Sequence, residues 1–134
     1  MTVSARAKEL AVAAVDAAAA KLATDVIAID VSSKLPLSDV FVVCSAANER
    51  QVRAVVDHVQ DRLLSLGEKP LHREGERSGE WVLLDYADIV VHVQQPTARE
   101  FYRLERLWKD CPVIDIPVQD GAVSRRRVAI GGAR

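Results

Sequence analysis

Paired carboxylates, histidines and cysteines are the side chains here that could carry chemistry, and their spacing is the first thing to weigh. Asp85 and Asp88 stand three residues apart between two apolar runs. Paired carboxylates can do acid–base work, but only with a cleft and a partner group. Beside a turn their simpler role is to accept local backbone N–H groups, and an exposed carboxylate there can also meet a Lys or Arg on another protein. The three histidines, His58, His72 and His92, have no zinc-binding pair spacing. His58 falls on the polar border of an expected helix. His92 sits amid an apolar strand and reads as bonded to a neighbouring backbone group rather than as a catalytic base. Cys44 and Cys111 are too few for a disulfide framework and have no nearby metal-ligand partner. Cys44, inside an apolar strand, reads as a small buried hydrophobe. No Gly-x-Gly-x-x-Gly or Gly-Lys-Ser/Thr phosphate loop is present, nor a Gly-x-Ser-x-Gly elbow. The residues therefore assemble no catalytic set, metal site or cofactor site.

Trp81, Tyr86, Arg99 and Tyr102 carry a different chemistry. Trp, Tyr and Arg dominate the energetics of protein contacts. Trp81 opens a strand after a charged loop, where half-buried packing and contact anchorage are both open. Tyr86 at a hairpin tip is hard to bury. Arg99, Tyr102, Arg103 and Arg106 fall on the outer side or edge of the helix that follows, with Arg103 and Arg106 reading as a solvated face.

The elements that must position these side chains run from Trp81 to Trp108. Trp81–Leu84 and Ile89–Val93 are two strand-length apolar runs joined by a tight antiparallel turn. Pro96 stops the second. Thr97-x-x-Glu100 has the reciprocal capping pattern that opens a helix. Phe101, Leu104 and Trp108 would share its buried face, and Glu105 would support it by pairing with Lys109.

Upstream, residues 4–22 are rich in alanine, the best helix former. Ser4 is the candidate cap. The shallow alanine face should pack flat within the chain, although it could also serve a homodimer. Asp25–Val31 and Val40–Cys44 are strands. The second is apolar at every position, which argues for a central strand covered on both faces. Asn48 caps a helix whose Val52, Val55, Val56, Val59, Leu63 and Leu66 follow helical spacing, ended by Gly67 in a left-handed cap. Lys69–Arg73 reads as a short strand, Glu74–Glu80 as a charged loop, and Cys111–Val118 as an extended strap. The fold class is α/β (α+β): a mixed sheet of about five strands flanked by helices. Residues 1–118 form one domain and 119–134 a flexible basic tail.

Composition excludes several classes. The chain is 49% hydrophobic and 28% charged, as expected of a soluble globule. No apolar run nears the roughly 20 residues that span a bilayer. The absence of a secretory layout and the sparse cysteines fit the cytoplasm. Residues 121–134 hold Arg125, Arg126, Arg127 and Arg134 and no acid, leaving 14 bases against 19 acids, a balance of −5, in residues 1–120. Such an acidic body suits a basic protein partner better than nucleic acid, with at most a weak, salt-sensitive RNA contact through the tail.

The ordered set Glu74-Gly75, Trp81, Asp85, Asp88, Val90-Val91-His92-Val93, Arg99, Tyr102, Leu104-Glu105 and Leu107-Trp108 resembles the ribosomal silencing factor family, also called RsfS or Iojap. The resemblance covers roughly residues 5–110. It implies a fold distantly similar to nucleotidyltransferases, and a translational repressor rather than an enzyme. Such a repressor binds the large ribosomal subunit through its basic protein numbered fourteen, blocks joining of the small subunit, and acts when nutrients are short. It also makes His92 a family marker. A nucleotidyltransferase-like enzyme is the competing expectation. That chemistry needs two acids one residue apart after a Gly-Ser loop. Asp39 could be the first, but Phe41 stands in the second position and no Gly-Ser precedes it.

Overall fold

A computed structural model describes residues 3–116. The basic tail expected from residue 119 lies outside them. The element order is α1 (Ala5–Ala20), β1 (Thr24–Asp30), β2 (Val40–Ser45), α2 (Glu49–Ser65), β3 (His72–Glu74), β4 (Trp81–Asp85), β5 (Ile89–Gln94), α3 (Pro96–Tyr102), α4 (Leu104–Leu107) and β6 (Val113–Ile114). The strands form one mixed sheet in the order β3-β4-β5-β2-β1-β6. Only β2 and β5 run parallel; the other neighbours are antiparallel. The sheet thus has six strands where about five were expected. The extra one comes from the strap after Cys111, of which Val113 and Ile114 pair with β1.

Periodicity explains the two long helices. Ser4 Oγ accepts the Ala7 N–H at 3.0 Å, and the Ser4 N–H in turn donates to Asp39 Oδ2 at 2.8 Å. Ala7, Ala11, Ala14 and Ala18 are fully buried, so the small side chains bring α1 close against β1, β2 and β5. The face that could have served a dimer is thus used inside the chain. Asn48 Oδ1 accepts the Gln51 N–H at 2.9 Å, and Gly67 follows the helix at φ +86°. Val52, Val55, Val59 and Leu63 are fully buried. Arg6 ties the two helices together, donating to Leu66 O at 2.6 Å and pairing with Glu68 Oε2 at 2.9 Å.

Strand alternation divides the core into two layers. Val40, Val42 and Cys44 of β2, Val82 and Leu84 of β4, and Ile89, Val91 and Val93 of β5 pack with α1 and α2. Ile27, Ile29, Val43 and Cys111 form a smaller cluster on the opposite face, joined by Phe41, Trp108 and Val113. β2 is central and covered on both faces, as its apolar run implied. Cys44 is fully buried, and burial pushes its thiol up to about 12, so it stays protonated and inert.

Gly75 sets the entry to β4. Its φ is +86°, and a Cβ there would stand 1.9 Å from the Trp81 carbonyl oxygen. Only glycine permits that approach.

Candidate functional site

The face of the sheet away from α1 and α2 carries the residues of interest. Cross-strand register places Leu83 opposite His92, His92 opposite Val43, and Phe41 opposite Val90. α3 and α4 lie at one end of this face. The result is a ladder of aromatic contacts. Phe101 meets Tyr102 edge-on at a centroid separation of 4.9 Å, and Tyr102 meets Trp81 at 4.7 Å. Trp81 meets His92 at 5.9 Å, His92 meets Phe41 at 4.8 Å, and Phe41 meets Trp108 at 5.5 Å. Five of the chain's six Trp, Tyr and Phe residues belong to it. Its outer end is open to solvent, with Phe101 77% and Tyr102 51% exposed, while Trp81 is half-buried. The half-buried packing expected of Trp81 is what the structure has, with the rest of the ring at the surface.

His92 holds the middle of the ladder. Its Nδ1 accepts the Trp81 indole N–H at 3.1 Å, so the partner is a side chain and not the backbone group expected. Acceptance at Nδ1 leaves the proton of the neutral ring on Nε2. Burial lowers its pKa to about 4. Protonation would also set an Nδ1 donor against the indole donor. The unfolded chain takes up this proton near 6.5, the folded chain only near 4. The resulting stability is complete above pH 6.5 and is lost as pH falls toward 4, about 3 kcal/mol in all and about 2 kcal/mol by pH 5. Urea unfolding at pH 7 and pH 5 should therefore show His92→Phe losing about 2 kcal/mol less than the parent protein. Equal losses would mean that His92 titrates normally in the fold.

Arg99 departs furthest from expectation. It was placed on the outer side of a continuous helix but is only 9% exposed. Its Nε donates to Glu105 Oε2 at 2.6 Å, Nη1 to Ser45 Oγ at 2.8 Å, and Nη2 to the Asp25 carbonyl at 2.9 Å. The Asp25 carbonyl is available because β1 is bulged there. The ladder skips from Thr24 to Ile27, and Asp25 lies at φ 49°. One guanidinium thus clamps α3, α4, β2 and β1.

The clamp explains why the expected helix is two helices. Arg103 adopts the left-handed conformation at φ 46°, ψ 58°, and the chain bends into an elbow. The bend swings Glu105 toward Arg99 rather than Lys109, and turns Phe101 outward while Leu104 stays buried. Trp108, expected in the core, is half-buried against Phe41. The expected capping box does not form either. Pro96 takes the first helical position and Gln95 becomes the cap without a side-chain cap bond. Proline at that position is already set for a helix, and Gln95 Nε2 instead donates to Gly79 O at 2.9 Å.

Of the two hairpin acids, Asp85 behaves as a turn residue, while Asp88 contributes through its backbone. Asp85 Oδ1 accepts the Ala87 N–H at 2.8 Å and holds Ala87 at φ 71°. The Asp88 carbonyl accepts the Asp39 N–H at 2.9 Å. Tyr86, expected to project from this tip, is instead only 3% exposed. It follows Leu84 by two residues, so alternation points it into the helix-side core. Burial pushes its phenol up to about 12. Asp39 is engaged in holding the start of α1, and no group of three or more His, Cys, Asp or Glu among the described residues could hold a metal ion.

Phe41, Phe101, Ser45 and Glu105 belong to this site and were not among the site residues expected from the sequence. The parallel pairing that brings Phe41 to His92 joins segments nearly fifty residues apart, and no local signal announces it. Glu105 was read as a helix partner of Lys109 and as part of the resemblance, and neither reading pointed to Arg99.

Residues 4–130 match the family model described as "Ribosomal silencing factor during starvation". The chain is 34% identical to the ribosomal silencing factor RsfS of Bacillus subtilis over 96 residues, spanning 72% of this chain and 81% of that protein. It is 32% identical to the RsfS of Halalkalibacterium halodurans over 117 residues, 87% of this chain and 97% of that one. A mouse protein named "Mitochondrial assembly of ribosomal large subunit protein 1" is 29% identical over 89 residues, 64% of this chain and 39% of the mouse protein. A crystal structure of a protein from Chromobacterium violaceum superposes with a TM-score of 0.73 at 35% identity, covering 81% of this chain and 87% of that one. With the matching fold and a match reaching from α1 past β6, the chain belongs to the ribosomal silencing factor family.

Proposed function

We propose that this protein represses translation by docking on the large ribosomal subunit and blocking the small subunit from joining. The docking partner is the basic ribosomal protein numbered fourteen, on the face that meets the small subunit, and the block operates when nutrients are short. The observation that carries this reading is the aromatic ladder on the sheet face that α1 and α2 leave uncovered. Trp81 and Tyr102 supply partly exposed rings at one end of β4 and β5, and Asp85 and Asp88 flank the hairpin tip at the other end. A surface that carries both rings and carboxylates suits a basic protein. His92 and Arg99 act from behind, the first by orienting the Trp81 indole and the second by fixing the elbow that carries Tyr102. Tyr86, being buried, supports the hairpin rather than touching the partner. The mouse relative's name, which ties it to assembly of the large subunit, supports the large subunit as the partner.

The mechanism is steric. It needs no turnover and no cofactor, only an interface of roughly 1,200–2,000 Å² to compete with joining. A nucleotidyltransferase-like activity has little to rest on, because Asp39 is bonded to the Ser4 N–H and Phe41 occupies the second acid position.

Gradient sedimentation with isolated subunits, followed by a joining assay, tests the proposal. The protein should travel with large subunits and reduce joining in proportion to its occupancy. Asp88→Lys should weaken co-sedimentation about tenfold without lowering the thermal midpoint. Free pairing of subunits at saturating protein, or hydrolysis of a nucleoside triphosphate, would defeat it.

A further inference from the structure

The ladder begins on Phe101 of α3 and returns to Trp108, just after α4, so both of its ends lie on the elbow segment, away from the acidic hairpin tip. In the elbow segment, the Arg99 charge is taken up by Glu105, and Arg103 is paired with Glu100. Arg106 and Lys109 are exposed and have no side-chain partner among the described residues. The same stretch holds two of the most exposed large apolar side chains, Phe101 at 77% and Leu107 at 71%. A cationic, aromatic projection on an acidic body calls for a partner different from the one facing the hairpin.

We infer that the elbow is a second contact, made to ribosomal RNA beside the docking protein, with Phe101 against an unpaired base and Arg106 and Lys109 on neighbouring phosphates. This rests on the docking reading above and deepens it. Aromatic rings interleaved with unpaired cations are the recurring equipment for single-stranded nucleic acid, because every base has a stacking face and every linkage a negative charge. A lipid surface fits poorly. α3 and α4 are seven and four residues long and are separated by a bend, so they present no continuous amphipathic helix to a membrane. The Arg99 clamp and the Tyr102–Trp81 contact hold the elbow in place relative to the ladder. Protein contact and RNA contact therefore belong to one preorganised surface, which suits a ribosomal site where a basic protein and RNA adjoin.

The test compares two targets, intact large subunits and the isolated basic ribosomal protein, each titrated with the full chain at several salt concentrations. Arg106→Glu/Lys109→Glu should lose about tenfold in affinity for subunits and make the salt dependence shallower by about 1.4, two phosphate contacts at roughly 0.7 each. Phe101→Ala should lose a similar factor at unchanged salt slope, since stacking contributes without charge. The charge variant should bind the isolated protein as the parent does, and both variants should unfold at the parent temperature, because the altered side chains are exposed. An equal loss by the charge variant on the isolated protein would show that the elbow touches protein and overturn the RNA assignment. Undiminished binding of both variants to subunits would overturn the contact itself. Failure of the parent chain to bind subunits would instead overturn the docking reading, and this one with it.

Discussion

Replacing Arg99 with alanine is expected to destabilise the protein by about 3–5 kcal/mol, the range for removing one partner of a buried ion pair. Glu105 would then be left in a site where its side chain is only 18% exposed. Ser45 Oγ and the Asp25 carbonyl would lose their donor as well. With unfolding of a chain this size shifting roughly 3 °C per kcal/mol, the thermal midpoint should fall by about 10 °C. Arg99→Met/Glu105→Leu should recover part of the loss, because removing both charges leaves no buried ion without a partner. A double-mutant cycle, read by urea unfolding, checks this. Additive losses would mean that the two residues act separately and that the elbow is held by something else. The clamp also joins stability to docking. Once it opens, Tyr102 is no longer held against Trp81.

Trp81→Ala should have the largest effect on docking, a loss of about 2 kcal/mol or roughly 30-fold in affinity for large subunits. Trp81 is the ring through which the exposed end of the ladder meets its buried half, touching Tyr102 on one side and His92 on the other. Removing it takes away its own contact surface and the support of Tyr102. Trp81→Phe separates the two roles of the indole. It keeps a ring but cannot donate to His92 Nδ1, so it should cost about 1 kcal/mol of stability and much less affinity than alanine. Quantitative co-sedimentation beside thermal unfolding measures both. If Trp81→Ala binds subunits at full affinity, the sheet face bearing the ladder is not where the protein docks.

The readings that succeeded share a physical basis. α1, α2, the central β2 and the β4–β5 hairpin are specified by contacts close in the chain. Examples are the Ser4 and Asn48 caps, the three- and four-residue spacing of Val52, Val55, Val56 and Val59, and the Asp85 side chain holding its own turn. The readings that failed depended on distant partners. Tyr86 was placed outside because hairpin tips are usually exposed, yet the strand alternation from Leu84 carries it inward under α2. Phe101, Leu104 and Trp108 were given one face because helical spacing was extended through Arg103. The left-handed residue that interrupts it is stabilised by a clamp whose other members lie on β1 and β2.

By itself the sequence determined the two capped helices, the apolar strands and the kinship carried by the Trp81–Trp108 stretch. These follow from spacing and residue type, which are local and can be counted along the chain. Only the tertiary structure decided the sixth strand, the burial of Arg99, the bend at Arg103 and the aromatic ladder. Each arises where residues far apart in sequence compete for the same space. A guanidinium with partners on three other elements can outweigh helix continuity, and a parallel pairing of β2 with β5 sets Phe41 beside His92.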